Sequence, residues 1–151
     1  MDLILQKLTE LGVSRIIPLK MERSIIKLEK EKSKKKKERW EKILKEASEQ
    51  SKRNKIPEIL EPITLKELKE MSFDKKYICS TKKCHNLKEL YLQESLNCAT
   101  IIFVIGPEGG IALKEEEFLE ENGYIPISFG NRILRVETAA IYIASIMNFI
   151  E

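Results

Sequence analysis

The stretch Ile101–Ile111, IIFVIGPEGGI, constrains the fold more than any other part of the chain. Five consecutive apolar residues, Ile101 to Ile105, are too few to cross a membrane and too uniformly apolar for a half-exposed strand. They predict a central strand buried on both faces. Gly106-Pro107 ends the run, Gly109 and Gly110 follow, and Ala112–Glu121 reads as a helix. A buried strand, a glycine-rich turn and a helix N-terminus form a common ligand-binding arrangement in α/β proteins. Glycines let a ligand approach bare backbone, and N–H groups at the helix start can donate to it. The same letters also suit a plain tight turn. No Gly-Lys-Ser/Thr follows, and glycines at 106, 109 and 110 do not fit the dinucleotide fingerprint.

A second segment shifts the balance. Residues 128–140, SFGNRILRVETAA, again read as a strand end, a glycine turn and a helix start. Two such turns in one half of the chain suggest two walls of one site. Together the motifs are specific. GPEGG followed by SFGNRILRVETA resembles the RsmE-type family, ribosomal RNA uridine N3-methyltransferases of the knotted, S-adenosylmethionine (SAM)-dependent SPOUT superfamily. The upstream blocks ILQKLTELGVSRIIPL, Arg23-Ser24 and RWEKILKEASEQSKRNKIPEI are similar to that family too, so the resemblance spans nearly the whole chain. Phe129 stands where the family usually has Leu. The family also carries a small PUA-like β domain ahead of the first helix seen here, and the sequence as given opens directly on that helix.

Size and composition set outer limits. The 151 residues suit one domain, 1–151, with a substantial core. Neither a signal peptide nor an apolar run of membrane-spanning length is present, so the cytoplasm is the expected compartment. Cys79, Cys84 and Cys98 read as reduced thiols, and zinc would need all of them plus His85 without any CxxC spacing, so no metal is expected. Net charge is only +3, but Lys20–Lys55 holds fifteen Lys/Arg against seven Asp/Glu. That local excess suits a polyanion such as RNA, and equally suits a solvated lysine-rich helix.

Taken in order, Asp2–Leu11 reads as a helix closed by Gly12, Val13–Leu19 as a buried strand, and Lys30–Lys52 as a long helix anchored by Trp40, Ile43, Leu44 and Ala47. Thr64 can cap a short helix, Leu65–Glu70. Lys76–Ser80 reads as a strand, Asn86–Glu94 as a helix, Tyr124–Ser128 as the last strand and Glu137–Ile150 as the last helix. Apolar residues cover most of that helix, which predicts burial on two sides, one of them against a second subunit. The alternation gives an α/β domain with a mostly parallel sheet. The resemblance implies more: a C-terminal trefoil knot that builds the SAM site, and a homodimer with the active site at its interface.

Candidate site residues follow from the motifs. A SAM site needs an apolar slot for adenine and backbone groups for its edge. Ile133 and Leu134 can wall the slot beside Gly130, with Ser128 and Phe129 before it and Thr138 and Ala139 beyond. Ile105, Gly106, Glu108, Gly109 and Gly110 can meet the ribose or methionine side. Ser80 and Thr81 make a third wall. Methylation at N3 requires loss of a proton and stabilisation of the resulting anion. The resemblance places Arg135 first, then Arg132, in that role; Glu137 either orients Arg135 or caps the last helix. Arg135 can equally be a structural partner of Glu137. Arg23, Ser24, Gln50 and Arg53 are the RNA-contact candidates. The resemblance thus implies a SAM-dependent methyltransferase acting on small-subunit (16S) ribosomal RNA; the competing reading is a non-catalytic RNA-binding or ribosome-assembly module with the same fold. For the chain as given, weak and salt-sensitive RNA binding with little ribosomal RNA methylation is the expectation.

Overall fold

A computed structural model describes residues 1–24, 30–80, 85–86 and 100–150. The chain divides into two compact units, Met1–Lys20 with Ile26–Ile63 and Glu137–Glu151, and Met21–Ile25 with Thr64–Val136.

In the first unit, α1 (Asp2–Glu10) packs on α2 (Lys30–Gln50). Leu5, Ile16, Trp40, Leu44 and Ile59 form its core, with Leu8, Val13 and Ile43 against them. Trp40 is therefore a core anchor, and its burial removes a large apolar area from water. Gly12 follows the C-cap of α1 with φ +88°. The strand expected over Val13–Leu19 is broken into two short pieces, β1 (Arg15–Ile16) and β2 (Leu19–Lys20), around Pro18, which has no N–H to donate to a ladder. β1 pairs in parallel with β3 (Glu58–Ile59), and β2 forms a separate two-stranded sheet with β4 (Ile63–Thr64). The last helix, α5 (Val136–Ile150), buries the stripe Ala139, Ala140, Ile143 and Ala144. Tyr142 and Phe149 are exposed.

The second unit is built on a four-stranded parallel sheet. Thr64 caps α3 (Leu65–Lys69) through a reciprocal capping box with Glu67. The strands β5 (Lys75–Cys79), β6 (His85–Asn86), β7 (Ile101–Ile105) and β8 (Ile125–Ser128) lie in the order β6-β8-β5-β7. Tyr77, Ile78, Val104, Leu119, Tyr124 and Ile127 are buried, and the Tyr77 and Phe103 rings stack at 5.2 Å. α4 (Leu113–Glu121) turns Leu119 and Glu116 inward.

Two expectations are corrected here. Ile101–Ile105 is a strand, but among the described residues it pairs only with β5 and lies at the sheet edge, with Val104 its one buried residue. β5 and β8 hold the centre. An apolar run reports how well a strand's faces are covered, not its place in the strand order. Asn86, expected to open a helix, belongs to β6; residues 87–94 lie outside the described ones.

Candidate functional site

The register of the parallel strands brings three loops to one level. Cys79 is paired with Ile105 on one side and with Ile127 on the other. Ser80, Gly106 and Ser128, the last residue of β8, therefore lie at one level at the carboxyl end of the sheet, where open α/β sheets bind ligands. β5 stands between β7 and β8, so Ser80 lies between the two glycine turns. Its N–H donates to Ile127 O at 2.9 Å, and its hydroxyl donates to Glu116 Oε1 at 2.6 Å. Glu116 is 5% exposed. A carboxylate in that position is a group that reading the sequence missed. The available signal was spacing: Glu116 sits three residues before Leu119, on the inward face of α4.

The GPEGG turn is closed by Gly110 N–H donating to Pro107 O at 2.8 Å. Glu108 and Gly109 are exposed, and Ile105 and Gly106 are half-buried. At the start of α4, Ala112 N–H donates to Glu115 Oε2 at 3.3 Å. Arg23 lies against this turn, although 86 positions separate it from Gly109 in sequence, while the N–H of Ser24 donates to Met21 O. The Arg23 guanidinium Nη1 donates to Gly109 O at 3.1 Å. Space beside Gly109 is taken by Arg23: a Cβ added there would stand 3.2 Å from Arg23 Cβ. Glycine at 109 gives that side chain close approach, which differs from the ligand approach read from the sequence.

The second turn is open. Gly130 has φ +91°, and a Cβ built on it meets nothing within 4 Å. The position demands glycine for its backbone, and the space beside it is open. Ile133 is 84% exposed and Leu134 is half-buried. Ser128 and Phe129 are half-buried. Arg132 and Arg135 are exposed, and neither makes an ion pair among the described residues. Exposed apolar side chains beside unpaired guanidinium groups suit a flat, anionic or polarisable ligand better than they suit a folding core.

Glu137, Thr138 and Ala139 form the first turn of α5; Thr138 is exposed and Ala139 buried. Thr81 lies outside the described residues, as do Cys84 and Cys98. Gln50 is the exposed last residue of α2. Arg53 is engaged within its own unit: its guanidinium donates to Thr9 O at 2.8 Å, Val13 O at 3.0 Å and Gly12 O at 3.2 Å. It caps the C-terminus of α1, where carbonyls lack helical partners and a cation meets the negative end of the helix. On α2, exposed Lys42 and Lys45 approach Glu46 and Glu49 at 3.8 and 3.9 Å, pairs that contribute little to stability. Among the described residues no group of three or more His, Cys, Asp or Glu could hold a metal, and no helix is long and apolar enough to cross a membrane.

Fold and site define an α/β domain with a ligand-binding edge at the carboxyl end of a parallel sheet. The model of the RNA methyltransferase domain matches residues 1–148, and the chain belongs to that family. It is 38% identical over 155 residues to ribosomal RNA small subunit methyltransferase E of Bacillus subtilis, matching 99% of this chain and 60% of that protein. The enzyme of the same name from Aquifex aeolicus is 36% identical, over 99% of this chain and 63% of the relative. The chain thus spans about 60% of the length of these relatives. Among solved structures, a Legionella pneumophila protein with SAM bound superimposes with a TM-score of 0.88 at 36% identity, over 99% of this chain and 60% of that one. Ribosomal RNA small subunit methyltransferase E from Neisseria gonorrhoeae, also bound to SAM, gives 0.86 at 36% identity, over 97% and 60%.

Proposed function

We propose that this chain is the SAM-dependent methyltransferase domain of an enzyme acting on N3 of a uridine in small-subunit ribosomal RNA. The observation that carries the reading is the register that brings Ser80, the GPEGG turn and the 128–134 turn to one carboxyl edge. The residues present fit the cofactor. The open space at Gly130, with apolar Ile133 and Leu134 following in the chain, suits adenine, and the backbone of 128–134 offers donors and acceptors for its edge. Ile105, Gly106, Glu108 and Gly110 suit the ribose and methionine parts. When bound, SAM supplies an electrophilic methyl group on a sulfonium.

The chain's own residues have two tasks. They hold the base flat against the cofactor edge, and they favour the uridine ring without its N3 proton. Arg135, with Arg132, presents an exposed guanidinium that donates to the ring carbonyl oxygens where negative charge gathers. Glu137 orients Arg135 or caps α5. RNA phosphate is held by the basic face of α2, with Gln50 at its end. Arg53 drops out of this surface because its donors are engaged with α1.

The same reading includes a trefoil knot, supported by β8 lying between β5 and β6, which precede it in sequence. It includes a homodimer over the exposed side of α5, and the cytoplasm as compartment.

The test is transfer of labelled methyl from SAM to undermodified small ribosomal subunits at low salt, where weakened phosphate contacts still hold. Nucleoside mass spectrometry should then identify 3-methyluridine. Methylation of another nucleoside would overturn the assigned position. SAM binding without any transfer, even at low salt, would favour the non-catalytic module.

A further inference from the structure

We infer that Arg23 is a positioning residue of the cofactor edge: it fastens the 21–24 turn onto the GPEGG turn and holds that turn in its ligand-ready shape. The inference rests on the functional reading above and adds a role to a residue that the sequence suggested only as an RNA contact.

Four contacts build the clamp. Ser24 N–H donates to Met21 O at 3.1 Å, closing a tight turn whose first residue, Met21, is buried. From this turn Arg23 Nη1 donates to Gly109 O at 3.1 Å. On its other flank Glu22 N–H donates to Glu115 Oε1 at 2.8 Å. The second oxygen of the same carboxylate accepts from Ala112 N–H at 3.3 Å. Segment 109–115 is thus held at both ends by residues 22 and 23. The stem of Arg23 lies on Gly109 so closely that an added methyl group would stand 3.2 Å from Arg23 Cβ and push it by a few tenths of an ångström. A carbonyl in an exposed turn does not need a partner, since water would serve. A guanidinium brought from 86 positions away therefore acts on the turn's shape. A glycine-rich turn has many accessible conformations, and a ligand that selects one must bear the ordering cost. Arg23 removes part of that cost in advance.

The test needs no RNA. Calorimetric titration with SAM compares the wild-type chain with Arg23→Met, which keeps the stem and deletes the guanidinium, and Arg23→Lys, which keeps one donor. Arg23→Met should raise the Kd about tenfold and Arg23→Lys about threefold, with unchanged melting temperature. Gly109→Ala, which pushes Arg23 from the other side, should weaken SAM as Arg23→Met does. Equal SAM affinity for wild type and Arg23→Met, with loss only of RNA binding, would overturn the inference and leave Arg23 as a phosphate contact. A wild-type chain that does not bind SAM would instead overturn the functional reading. In that event the clamp is decided by amide exchange without ligand. Exchange over 108–112 should quicken in Arg23→Met and stay unchanged in Ser24→Ala. Unaltered exchange in Arg23→Met would overturn it.

Discussion

Replacing Arg53 by Ala separates a structural role from an RNA role at a position where the sequence allowed both. Lys52 adopts a left-handed φ of +57°, which turns the chain at the end of α2 and sends Arg53 back toward α1. There the guanidinium makes three hydrogen bonds of 2.8 to 3.2 Å to carbonyls of Thr9, Gly12 and Val13. A hydrogen bond to a charged group contributes about 1.5–3 kcal/mol when buried. Arg53 is only half-buried, and water can take over at least the Gly12 carbonyl, so the three do not add fully. A charge at the helix end adds roughly 0.5 kcal/mol. The net expected loss on Arg53→Ala is about 2 kcal/mol, which for a chain of this length lowers the melting temperature by about 4–8 °C. Arg53→Lys, with a single point of charge, should recover less than half. Circular dichroism melts measure the loss, and filter binding of ribosomal RNA at two salt concentrations measures the alternative. An unchanged melting temperature, with RNA affinity reduced and its salt slope shallower by about 1, would refute the structural reasoning.

Other substitutions probe separate parts of the account. Tyr124 is buried with its hydroxyl unpartnered among the described residues, and burial raises its phenol above the usual value. The folded value exceeds the unfolded one, so this contribution is intact below about pH 10 and is lost as pH climbs through the folded value. Tyr124→Phe should stabilise the chain by about 1 kcal/mol and flatten its alkaline unfolding, as followed by denaturant melts from pH 8 to 11; a destabilised Phe variant would mean the hydroxyl has a partner. Gly130→Val, strained at a φ of +91°, should lower the melting temperature and abolish SAM binding in calorimetry of the folded protein, and retained affinity would move the site elsewhere. Arg135→Ala should lower methyl transfer by at least a hundredfold while changing the Kd for SAM less than threefold; equal loss of both would make Arg135 a cofactor residue. Phe149 is 87% exposed, so Phe149→Glu should leave the melting temperature unchanged yet shift light scattering toward monomer if that side of α5 is the dimer contact.

Local signals carried much of this structure. Gly12, Thr64 and Gly106-Pro107 ended or began elements as their backbone chemistry dictates, and Trp40 and Leu44 at helical spacing marked the buried side of α2. Strand order was not legible, because pairing partners are far apart and an apolar run looks the same at an edge as at the centre. That is why Ile101–Ile105 was expected in the middle and β5 was found there. The two glycine turns were readable as candidate walls, but their alignment depended on the pairing of Cys79 with Ile105 and Ile127. Arg23 and Arg53 show the same limit from the other side. Both read as exposed cations, and each is aimed at a backbone carbonyl that only the folded chain brings near.

Hydrogen exchange with and without SAM tests the central claim most directly. The account predicts slowed exchange over 105–111 and 128–135 on adding SAM, with no change over 12–20 or 53–63. Protection absent from both turns, or concentrated in the second pair of segments, would contradict it.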